Sequence, residues 1–192
     1  MCIRDRNGIK YANTVISRVP KSSITNEEDK NQLLAEGYFH RAYWYYLLVH
    51  QWGDVPLVLE EVAEPKLDFN SASRMSILQQ MKSDMEFAVK WLPVNVERGC
   101  VSRAAGEHLL AKIYLSTGDF QLAVEATTRC INDYGLHLMR ERFGVNASNP
   151  KLDVFNDLFQ EDNISAIENK EAIFVVQERL SLIHISEPTR PY

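Results

Sequence analysis

Apolar positions recur along most of this chain at intervals of three and four residues, the period that gathers them on one face of an α-helix. The longest such run extends from about Asn31 to Gln51. At about 100° per residue, Leu34, Tyr38, Tyr45, Leu48, Val49 and Trp52 fall on one face, and Phe39, Ala42, Tyr43 and Tyr46 fall on a second. This helix is therefore expected to be covered on two sides. Gly53, Asp54 and Pro56 stop it, because proline disfavours helical geometry at the residue before it and glycine tolerates positive φ. The stretch Trp52-Gly53-Asp54-Val55-Pro56-Leu57 reads as a turn leading into an extended apolar segment.

From Val62 to Asn70 the chain is polar and irregular, with Pro65, and a loop is expected. The next helix starts near Ser71 or Ser73, either of which can cap free N–H groups. Ile77, Met81, Met85, Ala88 and Leu92 give it one buried stripe, and Pro93 closes it. A third helix is expected from about Arg103 to Thr117, with Leu109, Leu110, Ile113 and Tyr114 buried and Gly118 as its C-terminal cap. A fourth, about Phe120 to Tyr134, follows after only Gly118 and Asp119, so the two must pack antiparallel as a hairpin. Ala105, Ala111, Ala123, Ala126 and Cys130 are small enough to let the two backbones approach closely. Past Gly135 the pattern breaks into a segment rich in Asn, Asp and Gly, with a short apolar stretch near Val154 to Phe159. Ala172 to Gln177 is the best strand candidate.

Composition narrows the function classes. The 192 residues are 45% hydrophobic and 24% charged, values of an ordinary globular protein that exclude disordered, collagenous and membrane-spanning chains. Net charge is -5, from 21 Lys plus Arg against 26 Asp plus Glu, which supplies no basic footprint for nucleic acid. Cys2, Cys100 and Cys130 form neither a CxxC pair nor an even set, so no zinc site or disulfide framework is indicated.

The segment from Ala104 to Gly135 resembles a tetratricopeptide unit, with Leu110, Ala111, Tyr114, Gly118, Asp119, Phe120 and Ala123 at that motif's spacing. Ala35-Glu36-Gly37-Tyr38-Phe39-His40-Arg41-Ala42-Tyr43, running into Trp52-Gly53-Asp54-Val55-Pro56-Leu57, resembles the signature of the SusD/RagB family. The order of later segments agrees: a helix ending in Leu92-Pro93, a small-residue helix, a Gly-Asp turn, then Asn169-Lys170-Glu171-Ala172-Ile173-Phe174 where that family has a strand. The resemblance covers about Ile9 to Glu178. It implies a mainly α fold of tetratricopeptide-like hairpins, a fragment of an α-α superhelix with a short C-terminal strand. It also implies a surface lipoprotein of the outer membrane of Bacteroidetes-type bacteria, which captures glycans or other nutrients without catalysis and passes them to a TonB-dependent transporter. The family's members are longer and begin with a lipoprotein signal, and Cys2 directly after Met1 is not expected to be the lipid anchor. The ends MCIRDR and SLIHISEPTRPY resemble translated sequencing-adapter sequence. Residues 1–6 and 181–192 are accordingly expected to be non-native, and residues 7–180 to form part of one SusD-like domain.

Seven aromatics lie between Tyr38 and Trp52, and six of them fall on the two apolar faces, where packing is expected. Trp44, with His40 and Gln51 on the polar side, is the one ligand-binding candidate, able either to stack on a glycan or to pack under another part of the protein. The five histidines stand in no zinc motif, and no metal site is expected. Asp153, Asp157, Glu161 and Asp162 lack calcium-loop spacing and are expected on a solvated loop or helix face. Asn146-Ala147-Ser148 and Asn163-Ile164-Ser165 match a glycosylation pattern short enough to arise by chance. No nucleophile elbow, phosphate loop or dinucleotide fingerprint occurs, so neither a cofactor nor a catalytic residue is expected. The alternative to the glycan-binding reading is an intracellular tetratricopeptide-type adaptor that binds peptides in a groove, which would show uniform repeats. The loop of about Asp54 to Asn70 breaks such a period.

Overall fold

The computed structural model describes residues 3–62, 68–97, 99–164 and 166–176. The described residues fall into two compact units, a helical one within residues 3–96 and 101–137 and a second within residues 97–100 and 138–176.

In the helical unit, α1 (Ile3–Arg18) and a 3-10 turn (Val19–Lys21) precede α2 (Glu27–Trp52). A two-residue strand pair follows, β1 (Val55–Pro56) antiparallel to β2 (Ser71–Ala72), with Val55 opposite Ala72. Then come α3 (Arg74–Trp91), α4 (Arg103–Thr117) and α5 (Phe120–Asn132). Each helix starts and stops for a local reason. Asn26 caps α2 by accepting from the Glu28 N–H, and Glu27, Glu28 and Asp29 place negative charge at its positive end. This cap sets the start four residues ahead of the apolar run. Ser73, not Ser71, caps α3, and Ser102 caps α4. Gly118 at φ 85° ends α4 in the left-handed region that a side chain disfavours.

Neighbouring helices run antiparallel. Tyr38 meets Phe87 and Arg41 meets Asp84 between α2 and α3; Glu107 meets Arg129 and Ala104 meets Cys130 between α4 and α5. The core is Phe39, Tyr45, Leu48 and Val49 of α2, Ile77, Leu78, Met81 and Met85 of α3, and Leu110 and Ile113 of α4. Ala105, Ala111, Ala123, Ala126 and Cys130 are all buried, as the hairpin requires. Gly106 is a second close approach, where an added Cβ would lie 2.9 Å from Leu92.

Two expectations, on Trp52 and on the C-terminal strand, are corrected. Trp52, placed on an apolar face by periodicity, is exposed at the last residue of α2. α1 lies ahead of the helices expected from sequence and buries Ile9, Ala12 and Asn13 against α2. The C-terminal strand is not formed over Ala172–Val176, which joins no ladder among the described residues; the Ala172 N–H turns instead to Asn169 Oδ1. Its last residue, Gln177, lies outside the described residues, as do Cys2 and residues 181–192.

The second unit holds α6 (Val154–Leu158) and otherwise turns. Its centre is polar. Arg142 bonds both carboxylate oxygens of Asp157 and the carbonyls of Asn146, Asn149 and Leu152. Buried Asn163 accepts from the Val145 N–H and donates to the carbonyls of Phe143 and Asp157.

Candidate functional site

Arg41 of the signature helix, with residues of α1 and α3, converges on one structure, an extended strap of residues 55–61 laid across α1 and α2. Arg41 and Asp84 are 3% and 4% exposed. Burial at that level makes an unpaired charge costly, and here every donor finds a partner. Arg41 Nε and Nη2 each lie 2.7 Å from an Asp84 oxygen, a bidentate pair between α2 and α3. Arg41 Nη1 then donates to the Leu59 carbonyl at 2.9 Å and to Asn13 Oδ1 at 3.2 Å. Gln80 Nε2 donates to Asp84 Oδ1 at 2.8 Å, and the guanidinium lies 5.1 Å from the Tyr38 ring centre.

One turn along α2, the Tyr45 hydroxyl accepts from the Val58 N–H at 2.7 Å and reaches the Pro56 and Val58 carbonyls at 3.2 Å. Burial pushes its phenol above the ordinary range, so it stays protonated and able to donate. From α1, Asn13 Nδ2 donates to the Val58 carbonyl at 2.8 Å, and the Ser17 hydroxyl accepts from the Glu61 N–H at 3.1 Å. Arg18 closes the far end on Glu61 at 2.7 Å and holds that carboxyl below its usual range. At the near end Asp54 accepts from the Arg74 N–H, tying the turn to the start of α3. Beyond the short β1–β2 ladder at Val55 and Pro56 the segment joins no strand, and these side chains answer its backbone groups instead.

Of the sequence candidates, Trp44 is half-buried, its indole over Gly8 of α1 and edge-to-face with Tyr43 at 5.4 Å. His40 is also half-buried, and burial lowers its pKa. Asp153 caps α6, but Asp157 is fully buried on Arg142, which holds its carboxyl below the usual range. The solvated-face expectation for Asp157 is thus corrected: a guanidinium, not water, answers it. Asn163 is buried, which removes it as an acceptor for glycosylation; Ser165 of that pattern lies outside the described residues. No group of three His, Cys, Asp or Glu side chains able to hold a metal occurs among the described residues, and none of their helices is long and apolar enough to cross a membrane.

Arg41, Asp84 and Asn13 were not singled out from sequence. A signal existed for two of them: Arg41 sits beside Ala42 inside an aromatic run, and Asp84 sits on the apolar stripe beside Met85. Opposite charges on the buried faces of two adjacent helices are a pair in waiting.

Comparison with known proteins fits this geometry. The SusD-like family described as "Starch-binding associating with outer membrane" matches residues 6–115, from α1 through the strap into α4. A SusD-like protein of Formosa agariphila is 33% identical over 129 residues, covering 65% of this chain and 25% of that protein. One from Bacteroides ovatus is 25% identical over 185 residues, covering 88% and 31%. The chain thus spans a quarter to a third of the length of these relatives. A structure titled as containing a xylogluco-oligosaccharide is 26% identical, with a TM-score of 0.64 over 72% of this chain and 30% of that one. A laminarin-binding SusD-like protein is 25% identical, with the same TM-score, over 72% and 32%. A SusD-like protein of Bacteroides fragilis, at 21% identity, shares the fold over 91% of this chain and 34% of its own, with a TM-score of 0.73. The match runs through the Arg41–Asp84 pair and the strap for more than half of the chain, and the chain belongs to the SusD-like family.

Proposed function

We infer that this chain supplies helical scaffold to a non-catalytic protein that binds glycans at the bacterial outer-membrane surface and delivers them to a TonB-dependent transporter. The observation that carries this reading is the family match across residues 6–115, which takes in α1, the signature helix and the strap together. The bonding around Arg41 and Tyr45 suits a scaffold, because charged and hydroxyl groups there are spent on backbone and on each other. Residues 7–180 are proposed as part of one SusD-like domain, in a protein held at the membrane by a lipid anchor. The adaptor alternative gains no support from this geometry, since the strap of residues 55–61 interrupts the helical array.

Trp44, half-buried, is the glycan candidate on α2. Trp44→Ala in the intact protein is expected to weaken glycan binding at an unchanged melting temperature; unchanged affinity with a lowered melting temperature would assign the indole to packing on Gly8. The broader test is incubation of the intact protein with neutral glucan oligosaccharides. Saturable binding without products supports the reading, and released sugars would overturn it.

A further inference from the structure

The second unit is organised around a flat cation. A guanidinium carries its N–H donors in a rigid planar fork, and every donor of Arg142 is answered within residues 146–157. Nε donates to Asp157 Oδ2, Nη1 to the Asn149 and Leu152 carbonyls, and Nη2 to the Asn146 carbonyl and Asp157 Oδ1. Asp157 is fully buried, whereas the Arg142 side chain keeps 24% exposure, so the cation reaches solvent on one side.

The acceptors are held by bonds in which Arg142 takes no part. The Asn149 N–H donates to the Asn146 carbonyl at 3.0 Å, and the Leu152 N–H to the Asn149 carbonyl at 3.3 Å. Each of those oxygens keeps a second lone pair for the guanidinium. Asp157 is seated through its own N–H on the Asp153 carbonyl and through Oδ2, which accepts from the Phe143 N–H. Asn163 ties the segment together, accepting from the Val145 N–H and donating to the Phe143 and Asp157 carbonyls. It lies so close over Gly144, at φ 74°, that no side chain could stand there. The backbone thus shapes a receptor, and the arginine is a ligand tethered to it.

The geometry also selects the ligand. Oxygens set to meet three separate nitrogens of one plane do not converge on a single point, as the shell of a calcium or magnesium ion must. An ammonium offers all its donors from one atom and cannot reach the whole rim. Urea has the planar outline but no charge, and would leave the buried Asp157 carboxylate unpaired. The ligand class is a guanidinium ion, free or with one small substituent.

We propose that residues 142–163 form a guanidinium-selective site, filled in the native chain by Arg142, and that occupancy of this site sets the order of the segment. The test is Arg142→Ala in the intact protein, read by hydrogen exchange at the Phe143 and Val145 amides with core amides of α2 and α4 as reference. Both amides lose protection roughly tenfold or more, and about 20 mM guanidinium or methylguanidinium chloride, far below denaturing concentrations, restores it saturably. Ammonium or potassium chloride at equal ionic strength, and urea at equal concentration, do not. Arg142→Lys stays unprotected, and adding Asp157→Asn to Arg142→Ala abolishes the rescue. Protection retained by Arg142→Ala without additive would overturn the proposal, as would failure of both guanidinium salts or equal rescue by ammonium or urea. Where Arg142→Ala yields no folded protein, nitrogen-detected NMR of the wild type decides. Arg142 Nη protons resolved as separate signals are the expected result, and a single averaged signal would overturn the site.

Discussion

Each of the two units holds an arginine on a buried aspartate, and they use the pair differently. Arg41 and Asp84 are 43 residues apart in sequence and join two long helices that already share an apolar core. Arg142 and Asp157 are 15 apart, in a segment with one five-residue helix, where Phe143 is the one buried apolar side chain among the described residues after residue 137. In the first case hydrophobic burial holds the helices together and the ion pair fixes their register and the path of the strap. In the second the guanidinium, with the carbonyls it gathers, stands in for a core. A buried pair is weak evidence of net stability where an apolar alternative exists, and indispensable where it is the centre of the unit.

The largest expected effect follows from breaking the first pair on one side only. Asp84→Ala leaves Arg41 buried without its counter-charge and should cost about 3–5 kcal/mol in denaturant unfolding. The double variant Arg41→Met with Asp84→Leu should recover most of that loss in the helical unit, while the Leu59 carbonyl loses its donor. Recovery of neither stability nor cooperativity would mean the pair is more than a register device.

Asp157→Ala is expected to act differently, abolishing hydrogen-exchange protection at Phe143 while the helices keep theirs. Acid offers the same contrast without mutation. Arg142 depresses the Asp157 carboxyl, so its contribution is complete above the ordinary aspartate value and is lost as pH falls through the lower, folded value. Exchange of the second unit should therefore rise below about pH 4, and Asp157→Asn should flatten that dependence. A flat wild-type profile would count against the pair as the unit's centre.

Tyr45→Phe removes a hydroxyl that answers the Val58 N–H and should cost about 1–3 kcal/mol. Gly118→Ala forces a side chain into the left-handed region at φ 85° and should cost about 1 kcal/mol, read as a lower melting temperature.

What was legible in the sequence follows the same division. α3, α4 and α5 could be read because apolar spacing, serine caps and Gly118 all agree within short windows. α1 could not, since its buried face includes Asn13 and Gly8, residues whose value appears only when Arg41 and Trp44 lie across them. The strap was read as an extended segment, but its anchors come from residues up to 45 positions away, which no local pattern reports. Asp157 looked like one carboxylate among four; only the fold of residues 142–163 separates it from its exposed neighbours.

The central claim is that Asn13 and Ser17 of α1 and Arg41 and Tyr45 of α2 clamp residues 55–61 as firmly as the helices they join. Native-state hydrogen exchange at the Val58 and Glu61 amides tests it most directly, because their partners are the Tyr45 hydroxyl and the Ser17 hydroxyl. Protection of Val58 approaching that of the α2 core amides, with Glu61 less protected at the strap's more exposed end, is the predicted result. Exchange of Val58 at the rate of an unstructured loop would contradict it.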